Sequence, residues 1–437
     1  MENKICVVVD GYSTGSYYVN YFIKEDFDCF HIQSQSDLPL ATTFCHESSG
    51  FKSNIVNESV EKTVEWIKEK GVPEFIVPGS ESGVELADTL SQIFNTKSKN
   101  EKAKANARID KFGMYKALKE NGIRTIRQEY CKSYEQAVET INDLDLNYPA
   151  VVKPAQSCMG DGFRLCNSLI DVKKAFDDNL NSKNILNNYN EGLILQEFIK
   201  GTEYVVDTVS NNGNHVLTDL MKYTKKITEQ GYSIYQAADF LARGANEIVT
   251  TVDYAFSVLD AVGIKYGAAH IEIMEDENGP VLIEIGARPA GCMLNPEFVT
   301  NAYGHNQIKM SVLSYISTEK FLKKASELNT TLNKYSSLVF LIPHESGYLS
   351  NVNLDVLEKL HSVVKVDLQV QIGEFVQEPK NLSESLAYIY LQDDDIKEIE
   401  KTKKFVLEYP EKIITISQDI PNNCCTPKNQ PTTCCNK

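Results

Sequence analysis

The stretch AAHIEIMEDENGPVLIEIGARPAG constrains the fold more than any other part of this chain. Ala268 to Met274 and Val281 to Ile285 are apolar-rich runs separated by a polar turn, Asp276 to Gly279, which predicts an antiparallel hairpin. Pairing centred on Asn278 sets Glu272 directly opposite Glu284. Two carboxylates facing each other across a strand pair repel. A cation between them removes the conflict, and hard oxygen donors suit Mg2+. The alternative is an edge hairpin whose glutamates face water. His270 shares a face with Glu272, and Gly286 with Glu284. Arg288 falls four residues beyond Glu284. On a continued strand it adds positive charge beside a metal site, or closes an ordinary salt bridge.

Two further segments carry polar groups at strand ends. Ala150-Val151-Val152 reads as a buried strand ending in Lys153, followed by Pro154 and the loop AQSCMGDGF. A lysine there, with the amide groups of a glycine-bearing loop, can hold phosphate; an ordinary turn has the same signature. Neither GxxxxGK[ST] nor a GxGxxG after the first strand occurs, which removes support for a P-loop or a classical dinucleotide fold. In LILQEFIKGTEYVVD, an extended apolar segment with free backbone groups can meet an adenine edge, and a nearby carboxylate can accept from ribose hydroxyls. Alone, it is a strand ending in a turn.

The organisation is read from periodicity. Ile5 to Val9 predicts a buried strand, with a helix from about Thr14. Val60, Val64 and Ile67 have helical spacing before Gly71; Phe75 to Val77 is strand-like; Val84, Leu86, Leu90 and Ile93 mark another helix. Alternating strand and helix predict a small parallel α/β domain over residues 1–100. A polar seam from Asn95 to Lys104 leads into a second domain, 101–325, with a lid at about 145–205 and antiparallel strands turning at Asn212-Gly213. Residues 326–420 read as a small α+β domain, and 421–437 as a disordered tail. That tail holds Cys424, Cys425, Cys434 and Cys435 in a CC-x8-CC pattern, open to zinc, disulfide or acylation readings.

Composition narrows the partners. Asp plus Glu is 60 against 44 Lys plus Arg, a net charge of -16, which disfavours nucleic acid. No apolar run is long enough to span a membrane, and the N-terminus lacks a signal-peptide pattern. A cytoplasmic, reducing compartment is expected, with the scattered thiols free.

Taken in order, the N-terminal α/β segment, ARIDKFGMYKAL, VVKPAQSCMGDG, LQEFIKGTEY and AHIEI…VLIEIGARPAG resemble the ATP-grasp superfamily over roughly Ile5 to Leu313. The resemblance implies α/β and α+β architecture: an N-terminal pre-ATP-grasp domain, a two-lobed ATP-grasp core and a biotin-carboxylase-like C-terminal domain. It implies ATP as co-substrate with Mg2+, or Mn2+ in its place. Lys111 and Lys153 would contact the phosphates, under a loop with Gln156, Ser157, Gly160 and Gly162. The backbone of Glu197, Phe198 and Ile199 would meet adenine, and Glu203 the ribose. Glu272 and Glu284 would hold the metal. Arg288 would steady an acyl phosphate and the transition state, and His270 and Asn295 would line the substrate pocket. Among Lys222, Lys225 and Lys226, at least two are expected on a solvated face.

The strings IEIGARPAG and LIPHESGYLSNV are similar to the L-amino acid ligases, the bacilysin-type dipeptide synthetases. Many ATP-grasp enzymes carry Asn two residues after the second glutamate; here that residue is Gly286. The implied reaction joins a carboxylate and an amine, amino acids by this resemblance, through an acyl phosphate with release of ADP and phosphate. Ligases of this kind are often homodimers. A carboxylase-type or purine-pathway ATP-grasp ligase, or a non-catalytic ATP-binding regulator, is the alternative.

Overall fold

The computed structural model describes residues 4–38, 50–245, 248–292 and 294–419. The tail cysteines Cys424, Cys425, Cys434 and Cys435 lie outside the described residues. The six described cysteines are free, as their scattered positions suggest.

The N-terminal sheet is parallel, ordered β3-β2-β1-β4. Its strands are β1 (Lys4–Val9), β2 (Phe27–Gln33), β3 (Ser53–Val56) and β4 (Phe75–Pro78). β1 is central, so Ile5 to Val9 are all buried and read as one continuous apolar run.

A second sheet is antiparallel, ordered β5-β8-β6-β7. It contains β5 (Gln128–Cys131), β6 (Ala150–Pro154), β7 (Arg164–Cys166) and β8 (Leu193–Glu197), so this lid sheet begins before residue 145.

The third sheet has eight strands in the order β13-β12-β9-β10-β11-β14-β18-β16. These are β9 (Thr202–Asn211), β10 (Asn214–Ile227), β11 (Ser233–Phe240), β12 (Gly267–Asp276), β13 (Gly279–Gly286), β14 (Tyr335–Leu341), β16 (Val363–Leu368) and β18 (Ala387–Asp393). β11 pairs with β14, so the sheet runs straight across the seam expected near residue 325. Three short strands, β15 (Gly347–Val352), β17 (Phe375–Val376) and β19 (Ile414–Ser417), form a separate small sheet.

Alternation on β12 and β13 decides what faces where. Ile271, Ile273 and Ile285 enter a core shared with the helix Val249–Ala261 and with Met114 and Leu118 of the helix Lys111–Glu120. Each such burial contributes roughly 1.5–3 kcal/mol. His270, Glu272 and Glu284 therefore point to the opposite face, toward the lid.

Candidate active site

The predicted opposition of the two glutamates is present, but a bulge produces it. The turn at Glu277-Asn278 pairs Ile273 with Leu282, a register that would set Glu272 opposite Ile283. One extra residue in β13 then shifts the ladder, and Glu272 pairs with Glu284. The bulged Ile283 turns its carbonyl toward Lys153, whose Nζ donates to it at 3.4 Å.

Three lysines converge on this pair from three elements. Lys111 opens its helix, held by Asp110, which caps the helix by accepting from Gly113 N. Its Nζ lies 2.8 Å from Glu284 Oε2 and donates to Ser157 O at 2.5 Å. Lys153 comes from the lid strand β6 and is buried. Lys225 comes from β10: its Nζ lies 2.6 Å from Glu203 Oε1 and 3.7 Å from Glu272 Oε2, over the Tyr235 ring at 4.0 Å. Lys222 and Lys226 are exposed. Lys225 was not separable from them by charge; its signal is alternation, which groups it with Met221 and Tyr223.

A cavity of about 510 Å³ lies between the lid sheet and the large sheet. Lys111, Lys153, Ser157, Gly160, Phe198, Ile199 and Glu203 line it, with Glu272 and Glu284 at one end. Glu197 gives its carboxylate to Arg127 N and Nε, each at 2.8 Å. Gly162 does not line the cavity; it takes φ +69°, and a Cβ there would strike the Pro154 ring. Gln156 turns away, donating to Asp110 Oδ2 at 3.2 Å.

Beyond the glutamates lies a smaller cavity of about 110 Å³, lined by His270, Arg288, Tyr223, Tyr235, Cys158 and Cys292 among others. Arg288 Nε donates to Glu81 Oε2 at 2.8 Å. His270 Nδ1 lies 2.7 Å from Asp207 Oδ1, and its Nε2 3.5 Å from Glu272 Oε1. Glu81 and Asp207 are additions that no local motif announced: both act across long sequence separations. Asn295 lines none of these cavities, because its Oδ1 accepts from Glu297 N and Phe298 N and caps the helix Pro296–Tyr303.

The electrostatics follow from burial against partners. Burial works against the charge on Lys111, yet Glu284 raises its pKa above the ordinary lysine value. Lys153 has no such close partner; burial, and then Lys111, pull it down to about 8. Burial pushes Glu203 up to about 7, with Lys225 opposing and Glu272 adding to the rise. Burial would also raise Glu272, but Lys225 and His270 hold it well below the carboxylate range. Burial disfavours a charged His270, and Asp207 overrides it to about 9. Burial pushes Cys158 up to about 12, which disfavours the thiolate.

Residues 146–296 match the family model described as ATP-grasp domain. The chain carries an ATP-grasp domain, and it is similar to ATP-grasp ligases in both sequence and fold. It is 26% identical over 389 residues to dapdiamide A synthase of Enterobacter agglomerans, covering 88% of this chain and 91% of that protein. It is 23% identical to the L-arginine-specific L-amino acid ligase of Bacillus subtilis, over 64% of this chain and 66% of that one. The crystal structure of an L-amino acid ligase from Bacillus licheniformis superposes with a TM-score of 0.75 at 16% identity, covering 96% of this chain and all of that one. The ATP-grasp fold expected from the motif order is thus the fold observed. No helix among the described residues is long and apolar enough to cross a membrane.

Proposed function

We propose that this enzyme forms an amide bond between two amino acids through an acyl phosphate, releasing ADP and phosphate. One observation carries the reading: Glu272 and Glu284 stand at the junction of two cavities with different chemistry. The larger is lined by Lys111, Lys153 and Lys225, which suits a triphosphate. The smaller holds Arg288 and His270, which suit a carboxylate.

Two carboxylates alone are a small donor set, and no group of three or more His, Cys, Asp or Glu side chains suited to a metal occurs among the described residues. That fits Mg2+, which takes one or two carboxylates and completes its shell with water and substrate phosphate. Bound by Glu272 and Glu284, the ion would neutralise charge on the transferring phosphoryl group. Lys111 and Lys225 already place cationic groups beside these glutamates.

In the first step a substrate carboxylate oxygen attacks the γ-phosphorus, the bond to ADP breaks, and an acyl phosphate forms. The amine nitrogen then attacks the acyl carbon, the carbon–oxygen bond to phosphate breaks, and phosphate leaves with the amine's proton. Arg288 stabilises the oxyanion, and catalysis is mainly positioning and charge stabilisation. Incubation with Mg-ATP and pooled amino acids tests this. ADP, phosphate and a new amide mass, all dependent on amino acids, are expected; AMP and pyrophosphate reject the acyl-phosphate route.

A further inference from the structure

Lys225 differs from the other two lysines of the site in what surrounds its ammonium group. Lys111 meets Glu284 and the carbonyl of Ser157, and Lys153 meets the carbonyl of Ile283. Lys225 meets aromatic rings as well as carboxylates. Its Nζ lies 4.0 Å from the centroid of the Tyr235 ring and 5.1 Å from that of Tyr223. Both distances fall within the roughly 6 Å over which the electron-rich face of a ring attracts a cation.

A second bulge makes this contact. Met221 to Thr224 pair in regular register with Phe240 to Ala237, which would set Lys225 against Gln236. One extra residue in β11 shifts the ladder, and Lys225 pairs with Tyr235. Tyr223, two residues earlier on β10, shares the face of Lys225. The two rings stand at 82° with centroids 5.1 Å apart, and Phe340 backs Tyr235 at 6.1 Å. Tyr235 packs in one core with Met221, Ala238 and Phe340, so its ring is fixed by its neighbours. Burial raises both phenols well above the ordinary tyrosine value, which keeps them neutral.

The rings gain importance when ligands arrive. Lys225 has two carboxylate partners, Glu203 and Glu272, and the ligase reading gives the first to ribose and the second to the metal. Both carboxylates are then shared with the ligand, and a lysine on a flexible four-carbon stem loses part of its hold. Tyr223 and Tyr235 carry no charge to be neutralised. They line both the 510 Å³ and the 110 Å³ cavities, and so stand at the junction that the transferring phosphoryl group crosses. A ring face attracts the ammonium group without using up a hydrogen-bond acceptor, which leaves N–H donors free for phosphate oxygens.

Resting on the ligase reading, we propose that Tyr235, with Tyr223 beside it, is a positioning residue that holds the Lys225 ammonium group at the junction of the two cavities for the nucleotide phosphates. Tyr235 acts through Lys225 and through the face of its ring, and its hydroxyl is dispensable.

The test is calorimetric affinity of the full-length enzyme for Mg2+ with a non-hydrolysable ATP analogue. Tyr235→Phe keeps the ring and should stay within threefold of wild type. Phenylalanines carrying one, two or three ring fluorines at position 235 then weaken the electron-rich face stepwise while keeping the shape, so the fold is not at stake. Affinity should fall with each fluorine, by about tenfold at three. In a Lys225→Met background the same series should move it less than twofold, because the partner of the ring is gone. A flat series, an equal slope in both backgrounds, or a Tyr235→Phe loss above tenfold overturns the assignment and leaves the ligase reading intact. A wild-type enzyme that binds no Mg-nucleotide overturns both.

Discussion

Arg288 Nε and Glu81 Oε2 lie 2.8 Å apart although 207 positions separate them in the chain. The pair joins the loop after β4 to the loop after β13, and both side chains pack against Gly286. A Cβ on Gly286 would sit 2.8 Å from Glu81 Oε2 and 3.1 Å from Arg288 Cζ and Nε. The carboxylate of Glu81 thus takes up space that an asparagine at 286 would need. Gly286→Asn is therefore expected to lower kcat at least tenfold. Adding Glu81→Ala should recover part of that loss, since contacting residues do not act additively. Kinetics of the two single variants and the double variant measure the coupling; strictly additive losses would refute the steric account.

Lys225 holds two carboxylates at once, Glu203 and Glu272. Its removal leaves a buried acidic pair with no cation between them, a costly arrangement. Lys225→Met should raise the pKa of the pair and weaken Mg-ATP binding at neutral pH by about 100-fold, roughly two factors of ten at 1.4 kcal/mol each. Lys226→Met, on an exposed residue, should change it less than threefold. Titration calorimetry with a non-hydrolysable nucleotide compares them. Equal effects of the two substitutions would place Lys225 outside the site.

Glu284 faces Lys111 across 2.8 Å, and both line the larger cavity. Removing this carboxylate frees the lysine to meet a phosphate, so nucleotide affinity should survive better than turnover. Glu284→Ala is expected to cut kcat by about 1,000-fold, in keeping with loss of transition-state charge stabilisation, with ATP affinity changed less than tenfold. A parallel collapse of both would show that Glu284 serves binding rather than chemistry.

Much of this site was legible because its signals are local. Apolar alternation around a four-residue polar turn located the hairpin, and the apolar run before Lys153 located β6. The bulge at Ile283 was not legible, since an inserted residue leaves no compositional trace; the correct glutamate pairing follows from it all the same. Glu81 and Asp207 were missed for a different reason. Each makes its decisive contact with a residue far away in sequence, Arg288 and His270, and such contacts exist only once the sheets have formed. The run of β14, β18 and β16 onto the large sheet was hidden likewise: strand order is a tertiary fact, and short alternating strands after residue 326 read equally well as a separate domain.

Lys153 supplies a test at alkaline pH. Burial, reinforced by Lys111, lowers it from 10.5 to about 8 in the folded chain. An unfolded chain holds this proton up to about 10.4. Between these values the unfolded state binds more protons, so this residue makes stability rise with pH across that window. Below about 8 both states are charged, and the folded protein carries the whole cost of burying the ammonium, about 3 kcal/mol. Lys153→Met removes the titrating group. Buried tyrosines and cysteines also titrate at high pH, so the readout is the difference between wild type and K153M in urea unfolding at pH 7.5, 8.5 and 9.5. Wild type should gain on the variant as pH rises. The same shift predicts that ATP, whose phosphates favour charged Lys153, takes up protons on binding at pH 8.5. Calorimetry in buffers of different ionisation enthalpy detects that uptake, and K153M should lose it. A pH-independent stability difference, with equal proton uptake in both proteins, would mean that Lys153 keeps an ordinary lysine pKa in the folded enzyme.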